Sequence, residues 1–127
     1  MKIAAALALA VIAAPVVAAS GPALAGVSDE ETTIRSGVVK DFHRGSGDVI
    51  FVLDRENKWY RVALNRNCIA GQQIGEMAKF EPRDVSGEIN KLTRVVFPEH
   101  GINCNIDSIR RSVAPPQVDS KSPITLD

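Results

Sequence analysis

The pattern of apolar and polar positions along the chain predicts a protein built from short β-strands. The clearest alternation with a period of two runs over residues 58–64. One side of this segment carries Tyr60, Val62 and Leu64, and the other carries Trp59, Arg61 and Ala63. Because successive side chains of a strand point to opposite faces of a sheet, one side of this strand is expected to face the core.

Further strands are predicted on both sides of this segment. Residues 34–43 are expected to form a first strand, and the continuous apolar run 49–53 a second strand that is buried on both faces. The polar turns 44–48 and 54–57 join these strands into an antiparallel meander. Later strands are expected near 78–80, at 93–97 and from 102 to 109, with a bulge before residue 109 where the alternation slips.

These elements predict an all-β domain over residues 34–112. Five to six short strands and one short helical or irregular connection favour a small antiparallel β-barrel or roll. An OB-like and an SH3-like barrel both fit the strands. Residues 26–33 are polar and acidic and are expected to form a flexible leader, and the Pro-, Ser- and Asp-containing segment 113–127 is expected to be a disordered tail.

Residues 1–25 have the organisation of a secretory signal peptide. Lys2 is followed by an apolar run, and the segment ends in small residues suited to cleavage after Ala25, or alternatively after Ala19. An uncleaved anchor would need about 20 continuous apolar residues, and Pro15 ends the run earlier than that. The expected location is the periplasm or the medium, with no stable membrane anchor after cleavage.

Charge argues against a nucleic-acid partner for the exported chain. Removing residues 1–25 leaves 14 basic and 15 acidic side chains, a net charge of −1. Proteins that bind nucleic acid or anionic membranes through general electrostatics carry a clear excess of basic residues. We therefore expect neither of these partners.

Cys68 and Cys104 are the only cysteines in the chain. Two cysteines in an exported protein usually form a disulfide. Such a bond would close a loop of about 37 residues and stabilise the fold by about 4 kcal/mol on the chain-entropy model. The alternative, a catalytic thiol, would need a histidine beside one of them as a base.

Two short motifs resemble those of a known family. They are Tyr-Arg-Val-Ala-Leu at 60–64, which runs towards Cys68, and Cys-Asn-Ile-Asp-Ser-Ile-Arg-Arg at 104–111. The chain resembles a domain-of-unknown-function family of small exported proteobacterial proteins over roughly residues 34–112. The resemblance implies export and a disulfide, and it brings no catalytic residues. Family members often carry further cysteines that this chain lacks. Segments 36–40 and 59–62 are also similar to the first strands of small periplasmic OB-type barrels, a likeness of fold alone.

The candidate binding patch consists of Trp59 and Arg61. Both lie on the side of their strand opposite Tyr60, and Trp and Arg are the residue types that dominate binding hot spots. The competing interpretation places Trp59 as a cover over one end of the barrel. Arg110 and Arg111, together with Arg66, could hold an anion or form a solvated face.

No metal site, cofactor or catalytic residue is predicted. His43 and His100 could act with Asp41 or Asp48 as metal ligands or as an acid–base pair, but solvated turn residues are the preferred interpretation. The turn acids are likewise expected to be solvated; they are Asp48, Asp54, Glu56 and Asp84.

Three functions remain open from the sequence. The first is a non-enzymatic periplasmic binding or interaction module for a protein, glycan or small ligand. The second is an inhibitor that blocks a cell-wall hydrolase by inserting a loop. The third is an enzyme that uses a histidine or a carboxylate. The sequence indicates no oligomeric state.

Overall fold

The structure is a computed structural model that describes residues 24–115, and this part of the chain is all β. The expected all-β class and antiparallel roll are confirmed, although the strands number seven rather than five or six. Within the described residues no helix is long and apolar enough to cross a membrane. The strands are β1 (Val27–Glu31), β2 (Val39–Arg44), β3 (Val49–Asp54), β4 (Trp59–Leu64), β5 (Lys79–Glu81), β6 (Arg94–Phe97) and β7 (Ile102–Ser112).

Two antiparallel meanders share one sheet. The strand order is β2-β3-β4-β7-β6-β5, so the predicted β2–β4 meander is confirmed, and β5, β6 and β7 form a second one. The long strand β7 joins them, because one part of it pairs with β6 and the rest pairs with β4. Strand β1 also pairs with β7, near the C-terminal end of β7.

The sheet is strongly curled. Phe42 on β2 and Phe97 on β6 lie four strand positions apart in the sheet, which corresponds to about 19 Å in a flat sheet. Their ring centroids are 6.3 Å apart. The two ends of the sheet therefore approach each other across the core, as in the predicted roll.

The inner face of the curled sheet encloses one apolar core. The alternation predicted for β4 is confirmed, since Tyr60, Val62 and Leu64 are buried while their neighbours are half-buried. The buried members of the core are Ile34, Ile50, Val52, Tyr60, Val62, Leu64, Ile69, Ile74, Ile89, Val95, Phe97, Cys104, Ile106 and Ile109. Residues 65–78 form the expected irregular connection and contribute Ile69 and Ile74 to this core.

The first predicted strand begins later than expected. Strand β2 starts at Val39, whereas Ile34 forms an isolated antiparallel bridge with Ile89 through two hydrogen bonds of 2.9 Å. A Cβ atom at Gly37 would lie only 2.6 Å from the carbonyl oxygen of Gly87. The chain bends at this close contact between two backbones, so residues 34–43 do not continue as one strand.

The segment expected as a flexible leader contains a paired strand. Strand β1 lies beside β7, and the side chains of Val27 and Ser28 are buried. The acidic composition of 29–31 hid this strand from the sequence, because its exposed carboxylates suggested a solvated segment. One of them, Glu31, forms a 3.0 Å ion pair with Lys91. Of the predicted signal peptide and tail, residues 1–23 and 116–127 lie outside the described residues.

The predicted irregularity in the last strand is confirmed. Ala63 pairs with Ser108 and Leu64 pairs with Ile106, so Asp107 is an extra residue on β7. This bulge keeps both Ile106 and Ile109 in the core although they are three positions apart.

Candidate functional site

The predicted patch residues Trp59 and Arg61 lie on the outer face of the sheet. Trp59 is paired with Leu53 and Ser112, and Arg61 is paired with Phe51 and Arg110. Because directly opposite residues in a sheet share a face, these side chains surround one surface. We call this surface the outer face and define it by His43, Phe51, Trp59, Arg61 and Arg110.

Aromatic side chains form the middle of the outer face. The imidazole of His43 packs on Trp59, with ring centroids 5.4 Å apart and planes tilted by 39°. Phe51 is buried although it lies on the side of the sheet away from the core. Gly45 fits closely here, since a Cβ atom at its position would lie 2.9 Å from the ring of Phe51. The outer face thus combines a buried ring, Phe51, with the half-buried Trp59 and the exposed His43.

Two guanidinium groups lie side by side on the outer face. Burial and the neighbouring Arg110 lower the pKa of Arg61, in that order of importance. Arg110 donates a 3.0 Å hydrogen bond to the carbonyl oxygen of Asp29. Within residues 24–115, no carboxylate forms an ion pair with either arginine. Glu31, directly opposite Arg110 on β1, is paired with Lys91 instead, so in this part of the chain neither arginine of the outer face has a carboxylate in ion-pair contact.

The two histidines differ in their place in the fold, one in a strand and the other in a turn. His43 lies within β2, and its Nε2 atom is 3.6 Å from a carboxylate oxygen of Asp41, with both side chains more than half exposed. His100 is exposed in the turn before β7. The carboxylate of Asp48 binds backbone N–H groups of residues 67–70 and is not paired with a histidine. Residues 24–115 contain no cluster of three or more His, Cys, Asp or Glu side chains that could hold a metal ion.

Asp48, directly before β3, organises residues 65–72, which we call the Asp48 loop. Its carboxylate accepts hydrogen bonds from the backbone N–H groups of Asn67 at 2.7 Å and of Ile69 and Ala70 at 2.9 Å. These donors, Ile69 foremost, lower the pKa of Asp48 against the opposing effect of burial. A single carboxylate thereby fixes the backbone of a segment about 20 residues away.

The Asp48 loop has two further attachments. The guanidinium of Arg44 donates to the carbonyl oxygens of Ile69 and Gln72. Cys68 forms the predicted disulfide with Cys104, whose side chain is buried on β7. The disulfide prediction is confirmed, and its place in the structure shows that it joins the loop to the central strand.

A polar cleft of about 260 Å³ lies at the opposite end of β3, where Asp54 begins the β3–β4 turn. Asp54 is only 3% exposed, and its Oδ1 atom accepts 2.9 Å hydrogen bonds from the backbone N–H groups of Glu56 and Lys58. We call this the Asp54 cleft. Its lining residues are Thr32, Thr33, Arg35, Asp54, Glu56, Lys58, Tyr60 and Arg111.

Tyr60 and Arg111 form the inner wall of the Asp54 cleft. Burial, and after it the negative charge of Asp54, raises the pKa of the Tyr60 hydroxyl against the opposing charge of Arg111. The guanidinium of Arg111 lies over the Tyr60 ring, 5.9 Å from its centroid. A cation over an aromatic face is held by the negative potential of the ring, so Arg111 has a fixed place in the cleft.

The expectation that the turn acids are solvated is wrong for Asp54, which is only 3% exposed, whereas Asp48 and Asp84 are partly buried and also accept hydrogen bonds. Asp48 and Asp54 bind backbone N–H groups, and the carboxylate of Asp84 accepts hydrogen bonds from Ser86 and Asn90, which lower its pKa. Aspartate in a turn often accepts N–H groups of the residues that follow it, a signal that applied to Asp54 and Asp84. The distant donors of Asp48 leave no such signal.

No protein-family model, no curated protein and no solved structure matches this chain. Membership in the exported family that the two motifs resemble thus stays a prediction.

Proposed function

We propose that this protein is a non-enzymatic, exported interaction module whose outer face binds an acidic protein. The observation that carries the proposal is the pair of Arg61 and Arg110, neither of which is in an ion pair within residues 24–115, beside the packed rings of Trp59 and His43. A carboxylate supplied by a partner would balance this charge. Its burial on binding would strengthen the interaction, since charges attract more strongly away from water.

The composition of the outer face supports a protein partner. Trp and Arg are enriched among the interface residues whose truncation weakens binding most. Trp59 and Arg61 are half-buried before any partner binds, and partly fixed side chains lose less entropy on association. The structure supplies a surface of this kind on β4, next to strands on both sides.

The face of the sheet is a better candidate than the edge of β2. An extended peptide could add to a free strand edge only through unoccupied backbone groups. At this edge the side chain of Asp41 accepts the backbone N–H of Phe42 at 2.8 Å. This local hydrogen bond blunts the edge, as charged edge residues commonly do.

Export is supported by two separate features. Residues 1–25 have the pattern of a signal peptide, and disulfides such as Cys68–Cys104 form and persist outside the cytoplasm. Periplasmic location is therefore part of the proposal. Sequencing the N-terminus of the protein from a periplasmic fraction tests it and distinguishes cleavage after Ala25 from cleavage after Ala19.

Affinity capture from a periplasmic extract tests the outer face. The bait is the purified protein, compared with Trp59→Ala, Arg61→Gln and the control Lys79→Gln, which removes an exposed charge on β5. We expect one acidic partner to be retained by the parent and the control, and to bind at least about tenfold more weakly to the other two variants. Retention should also fall with added salt. If Trp59→Ala captures the same proteins equally well, the outer face is not the binding surface.

The rigid Asp48 loop favours a second function, inhibition of a cell-wall hydrolase. A loop that is fixed before binding loses little entropy when it enters an active site, and this loop is held by the Asp48 carboxylate, by Arg44 and by the disulfide. Inhibition of a lysozyme should then weaken in Gln73→Arg, which alters an exposed side chain directly after the loop, and not in Trp59→Ala. Full lysozyme activity at excess protein would exclude this function for that enzyme.

A further inference from the structure

The Asp54 cleft contains more positive than negative side chains. Arg35, Lys58 and Arg111 face two acids, Asp54 and Glu56. The acids are already engaged by the protein, because Asp54 accepts hydrogen bonds from two backbone N–H groups. Glu56 is 3.8 Å from the ammonium group of Lys58; the Glu56 side chain is largely exposed, and the Lys58 side chain is partly buried.

Arg35 differs from the other two cations that line the cleft. Lys58 is paired with Glu56 and Arg111 lies over the Tyr60 ring, whereas Arg35 has neither kind of contact with the described residues. It is exposed, and within residues 24–115 it forms neither an ion pair nor a side-chain hydrogen bond. Its backbone directly follows Ile34, which the bridge to Ile89 fixes against the core. The guanidinium group of Arg35 thus extends from a fixed point of the chain at the cleft.

The walls of the cleft suit a small polar ligand. A volume of about 260 Å³ is close to the lower end of the range of small-molecule sites. Asp54 and Tyr60 are both more than nine-tenths buried, so the protein interior closes this side of the cleft and screens charges there less than an open surface does. The hydroxyl groups of Thr32 and Thr33 add polar contacts on another side.

We infer that the Asp54 cleft binds a small molecule through an anionic oxygen group, a carboxylate or a phosphate, which contacts Arg35, Lys58 and Arg111. Both groups present the acceptor oxygens that guanidinium and ammonium donors bind best. A cationic ligand would meet three positive side chains and two carboxylates that are already hydrogen-bonded or paired. This site shares no residue with the outer face, so anion binding in the cleft is tested independently of the proposed protein partner.

Titration followed by backbone amide NMR shifts tests the inference. Inorganic phosphate and acetate are added separately to the purified protein at constant ionic strength. We expect saturable shifts, with half-saturation below about 10 mM, at Thr33, Arg35 and Lys58. Saturation by phosphate alone indicates a phosphorylated ligand, and saturation by acetate alone a carboxylate. If neither anion gives saturable shifts in the cleft, the inference is wrong.

Three exposed side chains of the cleft region give matched variants. Arg35→Gln should weaken anion binding about tenfold, which corresponds to about 1.4 kcal/mol, and Glu56→Gln should strengthen it by removing a repulsive carboxylate. The control is Arg55→Gln. Arg55 is an exposed cation in the turn that contains Glu56, but its side chain does not line the cleft. We expect its binding to be unchanged. Equal weakening by Arg55→Gln and Arg35→Gln, with equal thermal stability of all variants, would show general charge attraction and overturn the inference.

Discussion

Asp48 and Asp54 stand at the two ends of β3, and both use their carboxylates to accept backbone N–H groups. Asp54 binds its own turn, whereas Asp48 binds a loop that follows β4. The local hydrogen bonds of Asp54 bury its carboxylate and leave a concave cleft lined by cations. The distant hydrogen bonds of Asp48 produce a fixed, exposed loop. The same type of side chain at the two ends of one strand thus belongs to two different candidate surfaces, one with local and one with distant hydrogen-bond partners.

Loss of the disulfide should have the largest effect, and it acts at the Asp48 end alone. The double variant Cys68→Ala, Cys104→Ala releases the Asp48 loop from β7 and should lower the free energy of unfolding by about 4 kcal/mol. Denaturant unfolding of this variant and of the parent measures the difference. A loss below about 1 kcal/mol would mean that Asp48 and Arg44 hold the loop without the disulfide.

Asp54→Ala should have the next largest effect, and it tests the opposite end of β3. The change removes the carboxylate acceptor, 3% exposed, from the backbone N–H groups of Glu56 and Lys58. Removing a charged, buried acceptor of this kind costs about 2–3 kcal/mol. The matched control is Asp54→Asn, which retains an acceptor oxygen and should lose clearly less stability.

Asp48→Ala provides the comparison with that result. Asp48 is only partly buried, whereas Asp54 is 3% exposed, so water can replace the lost carboxylate more readily at the Asp48 end. We therefore expect a smaller loss of stability in Asp48→Ala than in Asp54→Ala under the same denaturant conditions. The reverse order would show that the distant hydrogen bonds, and not the local ones, contribute more to the fold.

Low pH should destabilise the fold through protonation of the Asp48 carboxylate. Backbone N–H donors lower the pKa of Asp48 in the folded state, so its charged form stabilises the fold above the unfolded pKa of about 4. This contribution is lost as the pH falls through the lower pKa of the folded state. The midpoint of denaturant unfolding should thus decrease from about pH 5 downwards.

Asp48→Asn should make this acid dependence shallower. Asp84, whose pKa is also lowered in the folded protein, accounts for a further part of the dependence. Asp107→Asn removes an exposed carboxylate from the bulge of β7 and serves as the control for a simple change of charge. An unchanged slope in Asp48→Asn would show that its hydrogen bonds to the loop do not persist in solution.

The sequence was sufficient for those features that depend on neighbouring residues. The alternation over 58–64 predicted both faces of β4, and the slip near Ile109 predicted the bulge at Asp107. The pair Cys68–Cys104 followed from the number of cysteines and the expected compartment. These features depend on side-chain periodicity and on covalent chemistry, which a single sequence displays directly.

Features that depend on distant parts of the chain were missed or only partly predicted. Strand β1 exists because β7 lies beside it, and nothing in the acidic segment 29–31 indicates that partner. Trp59 and Arg61 were found by their residue types, but the contacts with His43 and Arg110 come from the pairing of four strands. The Asp54 cleft likewise combines residues from three separate segments, so its composition could not be read from any one of them.

The smallest effect is expected at two asparagines, where both ends of β3 should respond alike. Asn57, in the Asp54 turn, and Asn67, in the Asp48 loop, both have φ of 63°, in the left-handed region. A residue with a Cβ atom is strained there, and asparagine tolerates the strain better than alanine.

Alanine at either position should therefore destabilise the protein by about 1 kcal/mol, and glycine should change its stability by less than about 0.5 kcal/mol. This strain is a property of one residue's backbone, so the distance to hydrogen-bond partners should not alter it. Thermal unfolding of the four single variants measures both pairs. A markedly larger loss of stability for Asn67→Ala than for Asn57→Ala would show that strain in the Asp48 loop also disturbs the three hydrogen bonds to Asp48. The two ends of β3 would then differ in backbone strain as well as in the sequence distance to their hydrogen-bond partners.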